Sequence, residues 1–326
     1  MRYPVTIALI IALAGLYGCP PTPPPPDLQP QVEDSPADWP RTFTDALGET
    51  VTLQAPPQRV ISLSTGFAET IFTIGAGDRL VGRTDFVDHP PEILQVPTVG
   101  GMINPSLEAI AALEPDLVLT IRGTPHDVVE SVRRTGVPVI ARDPVTVAEV
   151  LECTRDIGRY LGIEQEADAL ADDLEARRDA VAEGAWDVAR QGRPSVLFVI
   201  DLDNVFVAGA GHFVDDMIQI AGGVNAATLA AGEAAGQWPS LSLEAVVALD
   251  PDIIIMALED DRGEVVDGAA LLRQRPAWRD LSAVRGDRVY NIDPDLTSRA
   301  GPRLFDALEQ IAGIVSDAVG GGSSDG

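Results

Sequence analysis

The stretch SLEAIAALEPD at residues 106–116 occurs a second time, with three substitutions, as SLEAVVALDPD at residues 242–252. Both copies run directly into an apolar segment, LVLT at residues 117–120 and IIIM at residues 253–256. A unit of this length that recurs within one chain predicts two lobes of similar construction.

Each copy is predicted to form a short helix that stops sharply and leads into a buried strand. The opening serine can cap the helix, so that Glu108 or Glu244 falls in the first turn, where the helix dipole favours a carboxylate. Pro115 and Pro251 prevent the helix from continuing, because proline has no amide hydrogen and crowds the preceding turn. The apolar runs that follow are typical of strands covered on both faces of a parallel sheet.

The composition is that of a globular protein. The chain has 326 residues, of which 45% are hydrophobic and 22% charged, enough for two substantial cores. Its formal net charge is −27. A surface that binds nucleic acid needs clustered Lys and Arg, so this acidity argues against a nucleic-acid partner and otherwise serves to keep the surface soluble.

The amino terminus has the pattern of an export signal. Residues 1–19 combine an early arginine, an apolar run too short to span a bilayer comfortably and a closing Cys19. This is typical of a bacterial lipoprotein signal peptide with Cys19 as the lipidated residue; an uncleaved anchor or a plain secretory peptide is the alternative. Residues 20–40 are rich in proline and predict an extended, semi-rigid linker. The protein is therefore predicted to be exported and lipid-anchored to a membrane, facing the periplasm or the cell exterior.

The rest of the chain alternates predicted strands and helices, which favours an α/β fold with parallel sheets. Residues 41–146 are predicted to form an amino-terminal α/β lobe, and residues 191–319 a carboxy-terminal α/β lobe. Residues 147–190 carry apolar side chains at helical spacing and predict a long connecting helix that acts as a stiff strut. Residues 320–326 predict a flexible tail. Cys153 has no partner cysteine and is interpreted as a core residue.

Several motifs, in their order along the chain, resemble the helical-backbone (class III) substrate-binding proteins of ABC importers, and most of all their cobalamin-binding branch. The resemblance covers nearly all of residues 58–319. The segments that carry it are RVISL at residues 59–63, residues 82–91, the two copies of the repeat, Trp238 with Pro239, and RAGPR at residues 299–303.

The resemblance implies a monomer that delivers its ligand to an ABC permease and its ATPase in the membrane. In that family a pair of glutamates, one on each lobe, docks into arginine pockets of the permease, and Glu108 and Glu244 occupy those positions. Two carboxylates at equivalent places make a two-point electrostatic contact, which sets register and association rate more than affinity. The alternative is that each is only a first-turn acid favoured by the helix dipole.

The resemblance also places the ligand in a cleft between the lobes, at the carboxyl ends of the strands. It implies cobalamin or a related corrinoid as the ligand, with no covalently bound cofactor and no metal site of the protein's own. Met102 and Ile121 stand where that branch is expected to carry tryptophan, which leaves a ferric siderophore or haem as an alternative iron chelate. The candidate ligand-binding residues are Asp85, Phe86, Met102, Ile103, Arg122, Trp238, Asp295 and Arg299.

No catalytic residue is predicted. The sequence has no Gly-x-Ser-x-Gly elbow, no phosphate-binding loop that ends in Lys and no pair of histidines at metal-binding spacing. Its acidic pairs, such as Asp201 with Asp203, lack the spacing of a dedicated calcium loop. Two rival classes remain open: a membrane-tethered metal-dependent hydrolase, and an adhesion or signalling module that kept the fold and lost transport.

Overall fold

The computed structural model describes residues 39–232, 236–260 and 263–320. The predicted signal peptide with Cys19, most of the predicted linker and most of the predicted tail lie outside these residues. The described part forms a short hairpin, two α/β lobes and a pair of long helices between them. None of its helices combines the length and the apolar composition that a membrane span requires.

The chain enters the fold through a two-stranded hairpin. Strands β1 (Arg41–Thr44) and β2 (Thr50–Leu53) pair antiparallel. The ring of Phe43 meets Tyr160 edge-on, with centroids 4.8 Å apart. The hairpin is thereby packed against the helix that follows the first lobe.

The first lobe is built on four parallel strands. They are β3 (Val60–Ser62), β4 (Leu80–Arg83), β5 (Leu117–Ile121) and β6 (Val139–Arg142), in the spatial order β4-β3-β5-β6. The two central strands, β3 and β5, bury nearly every side chain, as their continuous apolar runs predict. The crossover helices are α1 (Thr65–Thr73), α2 (Leu107–Ala112) and α3 (His126–Arg133).

Two helices join the lobes, α4 (Val147–Leu161) and α5 (Glu164–Gln191). A capping box between Thr146 and Glu149 begins α4. It ends at Gly162, whose φ of 68° is left-handed, a conformation that glycine adopts without strain. The segment predicted as a strut therefore consists of two helices with a turn at this glycine.

The second lobe contains a five-stranded sheet. Its strands are β7 (Ser195–Asp201), β8 (Phe206–Val207), β9 (Val224–Asn225), β10 (Ile253–Met256) and β11 (Val289–Asn291), in the order β11-β10-β7-β8, with β9 beside the start of β7. Every pair is parallel except β7 with β8. Here β8 departs from the predicted parallel arrangement, because the chain turns back directly after β7 and so short a connection permits only an antiparallel partner.

Helices complete the second lobe and close the chain. The last of them packs along α5, where Arg177 donates to Asp306 at 2.6 Å and to Glu309 at 2.7 Å. These helices are α6 (Phe213–Ile220), α7 (Ala226–Ala231), α8 (Leu243–Leu249), α9 (Gly268–Gln274), α10 (Ser282–Arg285), α11 (Pro294–Ser298) and α12 (Leu304–Gly320).

The two copies of the repeat form the predicted helix, stop and strand. The hydroxyl of Ser106 accepts a hydrogen bond from the Ala109 amide, and that of Ser242 accepts one from the Ala245 amide, both at 3.2 Å. Each capped helix, α2 or α8, ends before its proline and leads into a central strand, β5 or β10. The repeat therefore supplies the same supersecondary unit to each lobe.

The final aspartate of each copy has a role that the sequence did not reveal. Asp116 accepts hydrogen bonds from the backbone amides of Gln58 and Arg59 at 2.7 and 2.9 Å. Asp252 accepts from the backbone amide of Ser195 at 2.8 Å and from its hydroxyl at 2.7 Å. Both aspartates thus tie the start of the neighbouring strand, β3 or β7, to the end of the repeat.

Close contacts also tie the second lobe to the first lobe and to the strut. Gly66 of α1 lies against the backbone of Ala300 and Gly301 in the second lobe. The Val147 amide at the start of α4 donates to the carboxylate of Asp216 on α6 at 2.8 Å. The second lobe is therefore held directly to α1 of the first lobe and to the first turn of α4.

Candidate ligand site between the lobes

Two adjoining cavities lie between the lobes, beyond the carboxyl ends of the first lobe's strands. We name them the Phe86 cavity, of about 460 Å³, and the Trp238 cavity, of about 390 Å³, after an aromatic side chain that lines each. Thr65 and Met102 of the first lobe and Arg299 of the second line both. Each volume is within the range of ligand pockets, and the shared walls allow one large ligand to occupy both.

Exposed apolar side chains line the Phe86 cavity. Phe86, in the loop after β4, is 68% exposed, and Ile103 is 61% exposed. The two loops that carry them are held together because the Asp85 amide donates to the Gly100 carbonyl at 3.1 Å. Gly100 has a φ of 95°, which turns the chain so that Met102 and Ile103 face this cavity. Large apolar side chains left exposed beside a cavity mark a place where another molecule binds.

A cluster of three rings lines the Trp238 cavity. The imidazole of His212 lies between Phe213, with centroids 3.7 Å apart, and Trp238, with centroids 4.3 Å apart. Of these three residues, the sequence predicts Trp238 as a ligand-binding residue and does not single out the other two. The available signal for His212 was its position immediately before α6, where a side chain can cap the helix and face a cleft.

Burial lowers the pKa of His212 to about 4, because removal from water disfavours the charged imidazolium. Its Nδ1 accepts a hydrogen bond from the Val214 amide at 3.4 Å. The ring is therefore neutral at ordinary pH. A neutral imidazole beside Trp238 gives this cavity an aromatic face with one polar edge.

The pKa of His212 predicts a loss of stability in acid. In the unfolded chain the pKa is 6.5, so between that value and about 4 the unfolded state binds a proton that the folded state does not. Stability is thus present above the unfolded-state pKa and falls as the pH drops through this window, by about 3 kcal/mol at most. The free energy of unfolding, measured with urea at about pH 7 and at about pH 4, should fall for both proteins. It should fall by about 3 kcal/mol less in His212→Gln than in the unmodified protein.

The matched control for this measurement is His126→Gln, which removes an exposed histidine from α3. That variant should keep the acid sensitivity of the unmodified protein. Parallel pH profiles for the unmodified protein and His212→Gln would contradict the assignment of a neutral, buried imidazole.

The buried cation at the site is Arg299. Its Nη1 lies 3.2 Å from Glu69 and 2.6 Å from Asp88, both in the first lobe, and its Nη2 lies 2.5 Å from Asp295. Arg303 lies 3.7 Å from Glu69. Arg299 therefore ties the second lobe to two carboxylates of the first, at the base of both cavities.

Ionisation within this group reflects competition between burial and the arginines. Burial raises the pKa of Glu69 and that of Asp295, and the nearby guanidinium groups only partly offset it. Burial also disfavours the charge on Asp88, but the hydrogen bond and charge of Arg299 outweigh it, so the pKa of Asp88 lies below its usual range. Glu69 is almost fully buried, and its Oε2 has no hydrogen-bond partner. The group thus places three carboxyl groups, those of Glu69, Asp88 and Asp295, around the guanidinium groups of Arg299 and Arg303.

The structure brings together most of the predicted ligand-binding residues and leaves two outside the lining. Asp85 contributes its backbone to the loop contact, and its side chain does not line either cavity. Arg122 points elsewhere, because it donates to the Ala46 carbonyl at 2.8 Å and pairs with Asp143 at 3.6 Å. The residues that do line the two cavities are Phe86, Met102, Ile103, Trp238, Asp295 and Arg299.

The predicted docking residues are exposed at matching positions. Glu108 and Glu244 each lie in the first turn of a serine-capped helix, α2 or α8. Glu108 follows the loop of Met102 and Ile103 by a few residues, so the predicted docking residue of the first lobe lies close in sequence to the wall of the Phe86 cavity. Equivalent helices place one carboxylate on each lobe.

The acidic pair noted in the sequence serves the local structure. Asp201 accepts from the Asn204 amide at 2.7 Å in the turn after β7, and Asp203 pairs with Arg275 at 3.1 Å. Within residues 39–232, 236–260 and 263–320, no three His, Cys, Asp or Glu side chains are grouped as metal ligands. The buried Cys153 has its pKa raised to about 12, as expected of a core thiol.

Two α/β lobes, joined by helices and enclosing an aromatic and apolar cavity, define a two-lobed ligand-binding protein. The chain belongs to the periplasmic binding protein family, whose family model matches residues 60–296. The resemblance read from the sequence and the predicted α/β fold class are thereby confirmed. The family is one of binding proteins, in keeping with the prediction that the chain is not an enzyme.

Individual relatives span nearly the whole chain. It is 29% identical over 318 residues to the uncharacterized ABC transporter substrate-binding lipoprotein YvrC of Bacillus subtilis, covering 95% of this chain and 96% of that one. It is 28% identical over 311 residues to a cobalamin-binding protein of Halobacterium salinarum, covering 94% and 82%. The structure of the periplasmic heme-binding protein RhuT from Roseiflexus sp. RS-1, in apo form, matches with 31% identity and a TM-score of 0.68, covering 80% and 99%.

Proposed function

We propose that this protein captures a metal-chelate nutrient, cobalamin or a related corrinoid, between its lobes and delivers it to an ABC permease. The observation that carries the proposal is the pair of adjoining cavities lined by Phe86, Met102, Ile103, His212 and Trp238. A large, mostly apolar macrocycle needs such aromatic and apolar walls with few polar groups. The cobalamin-binding relative in Halobacterium salinarum supports the choice of ligand.

Glu108 and Glu244 are proposed to dock the loaded protein on the permease in the membrane. Their positions on equivalent helices suit a two-point contact with paired arginine pockets of a permease, whose ATPase drives transport. The relative named an ABC transporter substrate-binding lipoprotein supports both this partner and a lipid anchor at Cys19. The predicted lobes of residues 41–146 and 191–319 and the strut of residues 147–190 are retained as the working division of the chain.

A second candidate ligand is haem. It is favoured by the likeness to RhuT, which binds heme, and by the neutral imidazole of His212 in the Trp238 cavity. A ferric siderophore is the third candidate.

Titration with all three ligand classes tests the proposal. Cobalamin, haem and a panel of ferric siderophores are added to the protein, and binding is followed by tryptophan fluorescence and by calorimetry. Cobalamin should bind with a Kd below roughly 10 μM, which corresponds to about −7 kcal/mol. If none of the chelates reaches this affinity, the proposed function is wrong.

Trp238 should carry both the signal and part of the affinity. Trp238→Ala is expected to lose most of the ligand-induced quenching and to weaken binding by about tenfold or more, because it removes an aromatic face from the cavity wall. Trp186→Phe is the matched control, since Trp186 is exposed on α5 and lines neither cavity. Equal quenching in the Trp238→Ala variant and the unmodified protein would show that the ligand lies elsewhere.

A further inference from the structure

The walls of the two cavities offer an incoming anion little positive charge. Among the described residues that line them, Arg299 is the one cationic side chain, and it stands with the carboxylates of Asp143 and Asp295. Arg299 is only 9% exposed, and its guanidinium is already in contact with Glu69 and Asp88 as well as Asp295. Its charge is therefore committed to the protein's own carboxylates.

More negative charge stands behind the lining. Arg303 shares Glu69 with Arg299 and lies 3.8 Å from Asp293. The pKa of the exposed Glu259 is raised, first by partial removal from water and then by the negative charges of Asp295 and Asp293. Glu259 therefore lies near this group. The arginines at the base of the cavities are thus outnumbered by the surrounding acids, which are Glu69, Asp88, Glu259, Asp293 and Asp295.

From this arrangement we infer that the site selects metal chelates that are neutral or cationic and rejects those that carry carboxylate or catecholate charge. The inference rests on the proposed function, because it names the charge class of the ligand that the same cavities take. A ligand that brings negative charge next to these carboxylates is repelled, because like charges placed side by side at a binding surface cost several kcal/mol. Such repulsion is a common way in which a site rejects the wrong ligand.

Arg299 cannot turn to an anionic ligand without leaving its own partners. Glu69 is 2% exposed at its side chain and would keep only Arg303, at 3.7 Å, as a counter-charge. A buried carboxylate that loses its close partner is strongly destabilised. Arg299 therefore balances the buried acids and links the lobes, and it is not free to bind a carboxylate of the ligand.

Arg122 is the other cation nearest this edge of the first lobe. It is held by the Ala46 carbonyl and by Asp143, and the surface depression that it lines with Asp143 is separate from the Phe86 cavity. Asp143, the partner of Arg122, is the member of this pair that also lines the Trp238 cavity. Arg122 thus offers no direct compensation to an anionic ligand inside the cavities.

Selection for neutral or cationic chelates distinguishes between the candidate ligands. The corrin ring of cobalamin carries neutral amide side chains, whereas haem carries propionates and a ferric catecholate carries several negative charges. A ferric hydroxamate with a free amine is cationic. The inference therefore favours cobalamin and cationic hydroxamates over haem and catecholates, a distinction that the cavity volumes do not make.

Charge-matched ligands provide the test. Calorimetry at low salt compares cyanocobalamin with its monocarboxylate isomers, in which one peripheral amide is hydrolysed, and a cationic ferric hydroxamate with an anionic ferric catecholate. The monocarboxylates should bind about tenfold more weakly or worse than cyanocobalamin, and added salt should narrow the gap. Asp88→Asn and Asp295→Asn should each reduce the difference in affinity between cyanocobalamin and its monocarboxylates, mainly by improving binding of the monocarboxylates.

Glu309→Gln is the control, because it removes one carboxylate of the same protein on α12, where Glu309 pairs with Arg177. It should leave the ratio of the two affinities unchanged. Equal binding of cyanocobalamin and its monocarboxylates, or tighter binding of the anionic members, overturns the inference and leaves the proposed function standing. Absence of binding by every chelate overturns the proposed function and the inference with it.

Discussion

The double variant Glu108→Ala/Glu244→Ala is expected to lose uptake of the chelate while binding it as tightly as the unmodified protein. Both carboxylates are exposed in first helical turns, and neither lines a cavity. If they enter arginine pockets, removing each leaves a buried guanidinium without its partner, which costs about 2 kcal/mol or more per site, over tenfold in affinity. Uptake of labelled ligand by cells, and calorimetry on the purified variant, measure the two effects separately.

A fold effect must be distinguished from a docking effect. Loss of a first-turn acid costs at most about 1 kcal/mol of helix stability, so the double variant should unfold at nearly the same urea concentration as the unmodified protein. Glu166→Ala is the matched control, since Glu166 is an exposed acid in the first turn of α5. Undiminished uptake by the double variant would show that these glutamates do not dock on the permease. Absence of uptake by the unmodified protein would favour the rival class, an adhesion or signalling module that kept the fold and lost transport.

The substitution Gly66→Ala is expected to disturb both stability and binding. A Cβ added at Gly66 would stand 2.5 Å from the carbonyl carbon of Ala300 and 2.9 Å from the amide nitrogen of Gly301, and backbone atoms cannot move aside as side chains do. The lobes must then separate, at a cost of about 1–3 kcal/mol in unfolding free energy. Because the cavities lie between the lobes, ligand affinity should fall as well. Urea unfolding and calorimetry measure the two losses.

Gly313→Ala provides the comparison for this variant. Gly313 is exposed on α12, and a Cβ added there would meet nothing within 4 Å apart from the adjoining backbone of its own helix, so alanine should raise the unfolding free energy by up to about 1 kcal/mol. Both substitutions replace glycine by alanine, yet they should change the free energy of unfolding in opposite directions. If Gly66→Ala matched the unmodified protein in both stability and affinity, the contact between the lobes would not constrain their spacing.

Much of the fold could be predicted because its signals are local. The capped helices of the repeat, the apolar runs of β5 and β10 and the helical spacing after residue 146 each depend on neighbours in sequence. Boundaries were less secure. The residue pattern predicts one helix over residues 269–278, but α9 ends at Gln274, because Pro276 follows and residues 278–280 turn separately. The short strands β8 and β9 carry too few residues to show a period.

The candidate site was only partly predictable, for a physical reason. Trp238 and Phe86 stand out locally, as aromatic residues in polar loops. The partners of Arg299 do not, because Glu69 lies 230 residues away and Asp88 lies 211 away. The one available hint was an acid within the otherwise apolar stretch of α1, a position that needs a buried counter-charge. Electrostatic partners across lobes depend on how the lobes are placed, and no local pattern encodes that.

The hydrogen bond from the Val147 amide to Asp216 anchors the first turn of the strut to the second lobe. Asp216 belongs to α6, and α6 begins beside His212 in the wall of the Trp238 cavity. The anchor of α4 and the wall of the cavity are therefore one helical turn apart on the same helix. Any shift of α6 that changed the cavity wall would also change the geometry of this hydrogen bond, and with it the attachment of the strut.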